Sequence, residues 1–137
     1  WFPMAEIPLG ARGRLSLLVT GDYATSFMGD DAARVLATPF VIGYLELAAR
    51  QAILGYHDPG YDSVGTEVNV RHFAAAPLGM SVAFHAEVTG VDGRRVTFRV
   101  WAEDELERIA EGTHERFVLN VERFADRLRA KSQRRSA

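Results

Sequence analysis

Thr38, Glu46 and His72 carry a hydroxyl, a carboxylate and an imidazole, groups able to exchange protons, and each sits where a structural reading competes with a chemical one. Thr38 precedes Pro39 at what reads as the start of a long helix. Its hydroxyl suits an N-cap, and the proline loses nothing by lacking an N–H there. Free N–H groups and the helix dipole at such a start favour negative charge. About two turns later Glu46 lies between Ile42, Ala49 and Ile53 around the helix, where an ionised carboxylate is poorly solvated. The competing reading of Glu46 is an exposed pair with Arg50 at i, i+4, a common arrangement worth little. His72 shares the apolar face of an alternating run. It reads as a core histidine unless a hydroxyl or carboxylate is brought to it.

The element that must position these groups runs from Thr38 to Leu54. Val41, Tyr44, Leu45, Ala48 and Ala52 form one stripe at 100° per residue, Phe40, Leu47 and Leu54 a second, and Ile42, Ala49 and Ile53 a third. A helix apolar nearly all round must be wrapped, and in a chain rich in strand signals the wrapper is a curved antiparallel sheet.

At 137 residues the chain is one ordinary domain, with residues 1–11 read as a leader or cloning remnant, Met4 as a possible natural start and residues 121–137 as a C-terminal helix and basic tail. It contains no cysteine, which excludes disulfides and thiolate chemistry and agrees with a reducing, cytoplasmic setting. The four histidines are dispersed outside any metal-ligand spacing, so neither metal nor cofactor is expected. A net charge of −2 gives no footprint for nucleic acid, and the basic stretch 127–135 reads as a solvated helix end. The longest apolar run, Val35 to Leu45, is too short to span a bilayer, and no membrane association is expected.

In chain order, Arg12 to Thr20 reads as a first strand, and the irregular stretch 23–37 as a lid or a plain connection whose Gly29-Asp30-Asp31 starts a short helical turn through Leu36. After the helix, a long strand places Val64, Thr66, Val68, Val70, His72 and Ala74 on one face. Pro77-Leu78-Gly79 turns into Met80 to Gly90, Asp92-Gly93 makes a hairpin, Val96 to Ala102 returns, and Arg108 to Asn120 is the last strand. The expected order is strand, helix, then four strands as a meander, closed by a short helix with Phe124 and Leu128 on one side. This is an α+β hot dog fold, a curved antiparallel sheet of about five strands wrapped around the helix from Thr38 to Leu54. Its free sheet edge would be buried by pairing across a two-fold axis, so a homodimer is expected.

Five motifs in order carry a family likeness: Ala37-Thr-Pro-Phe-Val-Ile-Gly-Tyr-Leu-Glu-Leu-Ala48, Gly65-Thr-Glu-Val-Asn-Val-Arg-His72, Ala76-Pro-Leu-Gly-Met80, Asp92-Gly-Arg-Arg95 and Gly112-Thr-His-Glu-Arg116. With them the chain resembles the fluoroacetyl-CoA thioesterase-like branch of hot dog thioesterases. The resemblance implies hydrolysis of an acyl-CoA or acyl-carrier thioester, a catalytic group of Thr38, Glu46 and His72, and a thioester site also lined by Gly65 and Arg116. Glu46 would serve as general base for water or as nucleophile. Arg94, Arg95 and Arg116 are cations that could meet coenzyme A phosphates. Where members handling very small acyl groups place aromatic gates, this chain has Ala32-Ala33-Arg34. A larger acyl group is therefore expected, with Phe27 and Met28 touching its tail.

Two rival readings remain. A hydratase or dehydratase could use the same carboxylate and imidazole, although the Gly-Asp-x-Asn-Pro run of hydratases is absent. A non-catalytic acyl-CoA-binding domain would keep the fold without turnover.

Overall fold

The structure is a computed structural model and describes residues 6–135. Five strands, β1 (Arg12–Leu18), β2 (Tyr61–His72), β3 (Ser81–Asp92), β4 (Arg95–Glu103) and β5 (Arg108–Asn120), form one antiparallel sheet. Helix α1 (Thr38–Leu54) lies between β1 and β2 in sequence and packs on the curled sheet, and α2 (Val121–Arg135) follows β5. This is the expected hot dog arrangement.

The strand order is β1-β3-β4-β5-β2. Strands β3, β4 and β5 form a meander, but β2 pairs with β5, so the expected four-strand meander is corrected. Residues 73–80 carry the chain across the sheet instead: Phe73 and Ala74 N–H bond to Ile109 O, and Gly79 N–H bonds to Val19 O. Strands β1 and β2 are left as the two edges.

Helix α1 buries Val41, Leu45, Ala48, Ala49, Ala52 and Ile53 against Phe84, Phe98 and the valines of β3 and β4. The first apolar stripe and, apart from half-buried Ile42, the third thus enter the core. The second does not: Phe40, Leu47 and Leu54 remain 38%, 49% and 43% exposed. One sheet covers one side of a helix, so a single chain leaves the opposite stripe in water. Helix and sheet meet most closely at Gly13, where a Cβ would lie 2.0 Å from Ala48 O.

Two boundaries differ from expectation. Ile7 is buried in the core and Gly10 N–H bonds to Val88 O, so the stretch read as leader joins the domain from Ile7 onward. Helix α2 is longer than the short helix expected and buries no side chain, Leu128 keeping 47% exposure. The possible start at Met4 and the last two residues of the basic tail lie outside the described residues. Among the described residues no helix is long and apolar enough to cross a membrane.

Candidate active site

Helix α1 begins with Ala37 as its N-cap, Thr38 as the first helical residue and Pro39 behind it. Thr38 therefore does not cap the helix as expected, and its hydroxyl is free for another partner. That partner is His72, whose Nδ1 lies 2.8 Å from Thr38 Oγ1. The first turn supplies fewer donors than expected, because Pro39 has none and Phe40 and Val41 N–H both turn back to Ala37 O. Burial pushes the His72 imidazole below the usual histidine range, which favours its neutral form; with Nδ1–H donating to Thr38 Oγ1, the ring keeps an acceptor at Nε2 and the threonine keeps its own proton to donate. Its Nε2 is buried and finds no hydrogen-bond partner among the described residues.

His72 reaches this position through an irregularity in β2. The register against β5 slips between Gly65 and Glu67, so Thr66 is an extra residue. Before the bulge Ser63 and Gly65 face α1; after it, Val68, Val70 and His72 do, by alternation. The expected apolar face is corrected at Val64 and Thr66. Thr66 instead bonds outward to Glu115 Oε2 at 2.6 Å.

Glu46 sits elsewhere. Its carboxylate packs on Gly65, where a Cβ would come within 2.6 Å of Oε2, so only glycine leaves room for it. Its cationic neighbour is Arg116, with Nη1 3.7 Å from Oε2 and 3.4 Å from the Glu46 carbonyl. The rival pair with Arg50 does not form, since Arg50 makes a two-pronged bond to Asp62, 3.0 Å and 2.7 Å. The Glu46 side chain is 38% exposed, less enclosed than its apolar helical neighbours suggested.

Arg116 is buried, and its other nitrogens are spent on Ser63, Nε to Oγ and Nη2 to the carbonyl, each 2.8 Å. A guanidinium so enclosed does not meet a coenzyme A phosphate. Arg95 is occupied as well, 3.3 Å from Glu115. Arg94 alone of the three expected phosphate cations has no carboxylate partner among the described residues.

Thr38 and His72 thus form one pair, and Glu46, Gly65 and Arg116 another cluster. Eight helical positions separate Thr38 from Glu46, about 12 Å of axial rise, so one chain does not assemble the three expected catalytic residues at a point. Phe27 and Met28 stand 78% and 59% exposed in the 23–37 segment. The aromatic wall beside the helix start is Tyr23, Phe40 and Tyr44, with Tyr23 5.2 Å from Phe40 and 6.0 Å from Tyr44. The base of the segment is pinned: Arg34 donates to Thr25 O and Gly21 O, and Leu36 N–H to Ala76 O. Asp30 caps a short turn as expected, but the turn covers only Asp31–Ala33 and does not run through Leu36, which bridges to Ala24.

The family model for the fluoroacetyl-CoA-specific thioesterase matches residues 19–122. The chain belongs to that family. It is 43% identical over 98 residues to the fluoroacetyl-CoA thioesterase of Streptantibioticus cattleyicolor, covering 72% of this chain and 70% of that one. A solved structure of a fluoroacetyl-CoA thioesterase superposes with a TM-score of 0.82 at 35% identity, over 92% of this chain and 98% of the other. A thioesterase superfamily member from Thermus thermophilus superposes at 0.88 with 30% identity, over 97% and 98%.

Beside Glu46 and Arg116 stands His114, which the sequence analysis does not single out. It is buried, its Nδ1 donates to Glu67 O at the bulge, 2.7 Å, and its Nε2 accepts from Arg116 Nη1, 3.3 Å. Burial and the arginine hold His114 below the usual range, in keeping with the neutral form this bonding needs. Its signal was available in the Gly-Thr-His-Glu-Arg motif, two positions before Arg116 and so on the same strand face. Among the described residues no group of three or more His, Asp or Glu side chains is placed to hold a metal ion.

Proposed function

We propose that this protein hydrolyses acyl-CoA thioesters, and that each site is built from two copies of the chain. The observation that carries the reading is the 2.8 Å contact between Thr38 and His72 at the start of α1, in a chain of this family. The Glu46, Gly65 and Arg116 cluster completes it from the second copy.

The free edge of β2 supports this assembly. Antiparallel pairing of two β2 edges centred between Val68 and Asn69 sets Gly65 of one copy opposite His72 of the other, as the same register arithmetic sets 66 opposite 71. Such pairing satisfies an exposed edge and brings the Phe40, Leu47 and Leu54 stripes of the two α1 helices under cover. The His72 Nε2 left without a partner in one chain then gains a carboxylate neighbour in Glu46 of the other.

In this arrangement Glu46 takes a proton from water as the water oxygen bonds to the thioester carbonyl carbon. Thr38, through its hydroxyl and its backbone N–H at the positive end of the helix, stabilises the oxyanion. Collapse of the intermediate breaks the carbon–sulfur bond; the lone pair on His72 Nε2 takes the proton from Glu46 and passes it to the departing sulfur, which leaves Glu46 ionised and His72 neutral again. The products are the free acid and coenzyme A. The acyl tail packs on the wall of Tyr23, Phe40 and Tyr44, which accepts groups larger than acetyl.

Release of free thiol from a panel of acyl-CoAs tests the reading. Thiol release is the expected result. Loss of enoyl absorbance without thiol would replace hydrolysis with hydration, and tight binding without either would make the chain an acyl-CoA-binding domain.

A further inference from the structure

A cleft of about 490 Å³ lies on the sheet face opposite Arg116, lined by Arg94, Phe117, Leu119, Asn120, Arg123 and Arg127. The three arginines come from separate places: Arg94 from the β3–β4 turn, Arg123 and Arg127 from successive turns of α2. Their neighbours Arg95 and Arg129 are neutralised by Glu115 and Asp126, whereas none of these three has a carboxylate partner among the described residues. Asn120 fixes the helix start, its Oδ1 accepting from Arg123 N–H at 3.0 Å. No carboxylate lines the cleft, and Phe117 supplies an aromatic surface 38% exposed.

We infer that this cleft holds the phosphorylated nucleotide end of coenzyme A, Arg94, Arg123 and Arg127 meeting its phosphates and Phe117 its adenine. The inference rests on the acyl-CoA reading and names the part of the substrate that the catalytic residues do not touch. Guanidinium groups match phosphate geometry with two parallel donors, and three unpaired ones around an apolar floor suit a nucleotide bearing several phosphate charges. The path is continuous with the site. Phe117 is next to Arg116 on β5, and four residues of strand, about 13 Å, separate Arg116 from Asn120 at the cleft's far end. An extended pantetheine arm exceeds that length. Pairing of β2 edges over residues 65–72 leaves Tyr61–Val64 unpaired, and there the arm passes from the outer face to the inner one.

The volume also favours a nucleotide over a carrier protein, since the cleft is a pocket between a turn and a helix rather than a broad face. Binding energy gained here, remote from the thioester, positions the carbonyl for attack.

Two measurements decide the matter. Calorimetry with adenosine 3′,5′-bisphosphate reads the cleft without any turnover: binding is expected, weakened about tenfold or more in Arg123→Ala and in Arg94→Ala and falling with added salt. No binding to the wild-type protein at millimolar concentration would overturn the inference. Steady-state kinetics then compare an acyl-CoA with the same acyl-pantetheine. The wild-type kcat/KM should favour the coenzyme A ester at least tenfold, chiefly through KM, and Arg94→Ala with Arg127→Ala should collapse that ratio. Equal values for the two esters in the wild type would overturn the cleft while leaving hydrolysis intact. Absence of thiol from every ester would instead sink the activity, and the calorimetric result would still stand on its own. An equal loss with a carrier-protein ester, together with no bisphosphate binding, would give the cleft to the carrier.

Discussion

At the scale of single residues, Glu46 and the glycine it rests on provide the sharpest test. Replacing Glu46 by Gln keeps the volume and removes the proton acceptor, so kcat is expected to fall on the order of 10²-fold or more with the fold intact. Gly65→Ala should behave in a similar way for a different reason. Its new methyl would stand 2.6 Å from Glu46 Oε2, the end of a flexible side chain, which gives way more easily than backbone would. Turnover should drop while the melting temperature barely moves, and a large loss of stability would mean that the carboxylate cannot swing aside. Titration tests the state of His72. Because burial lowers its pKa, the neutral form persists to lower pH than for an ordinary histidine. Read by NMR in Glu46→Gln, where the second copy brings no carboxylate to Nε2, the His72 titration should therefore lie below pH 6.5, the ordinary value, and a titration above it would mean that burial does not control this ring.

Among elements, the contact between α1 and β1 depends on Gly13. A Cβ there would meet Ala48 O at 2.0 Å and Ala52 N at 2.7 Å, both backbone atoms of a helix that cannot yield locally. Gly13→Ala should cost about 1–3 kcal/mol or more, read by denaturant unfolding. The Arg50–Asp62 pair ties α1 to the start of β2, and Asp62 also accepts from Ser63 N–H. Arg50 holds the Asp62 carboxyl below the usual carboxylate range. A depressed folded pKa means stability present above the unfolded pKa and lost as pH falls through the folded one. Both side chains are partly exposed, 40% and 29%, so solvent screening keeps the effect of Asp62→Asn to about 1 kcal/mol at neutral pH. The difference from wild type should vanish in acid, once Asp62 is protonated in both states.

For the whole molecule, the decisive quantity is its mass in solution. The shared site proposed above, the open β2 edge and the exposed stripe on α1 all call for a second copy. A dimer at micromolar concentration is expected, and mixing Glu46→Gln with His72→Ala chains should restore part of the activity that each lacks alone. Restoration arises because the mixed dimer keeps one site whose Glu46 and His72 are both intact. A monomer with full activity would dismiss the shared site.

How much of this was legible follows from the range over which each signal acts. Helix α1 could be read to its boundaries because its stripes and Thr38-Pro39 start are local patterns, and Asp92-Gly93 marked its hairpin for the same reason. The family motifs pointed to Thr38, Glu46, His72, Gly65 and Arg116, and so to the chemistry. Local patterning does not determine which strand another joins, so β2 beside β5 was missed. Nor does it show a bulge, because one inserted residue at Thr66 leaves composition unchanged while turning every following side chain to the other face. The partner of Arg50, the role of His114 and the separation of Glu46 from the Thr38–His72 pair were decided by tertiary structure alone. Each depends on where residues distant in sequence are brought by the curl of the sheet, and charge or hydrophobicity along the chain carries no record of that distance.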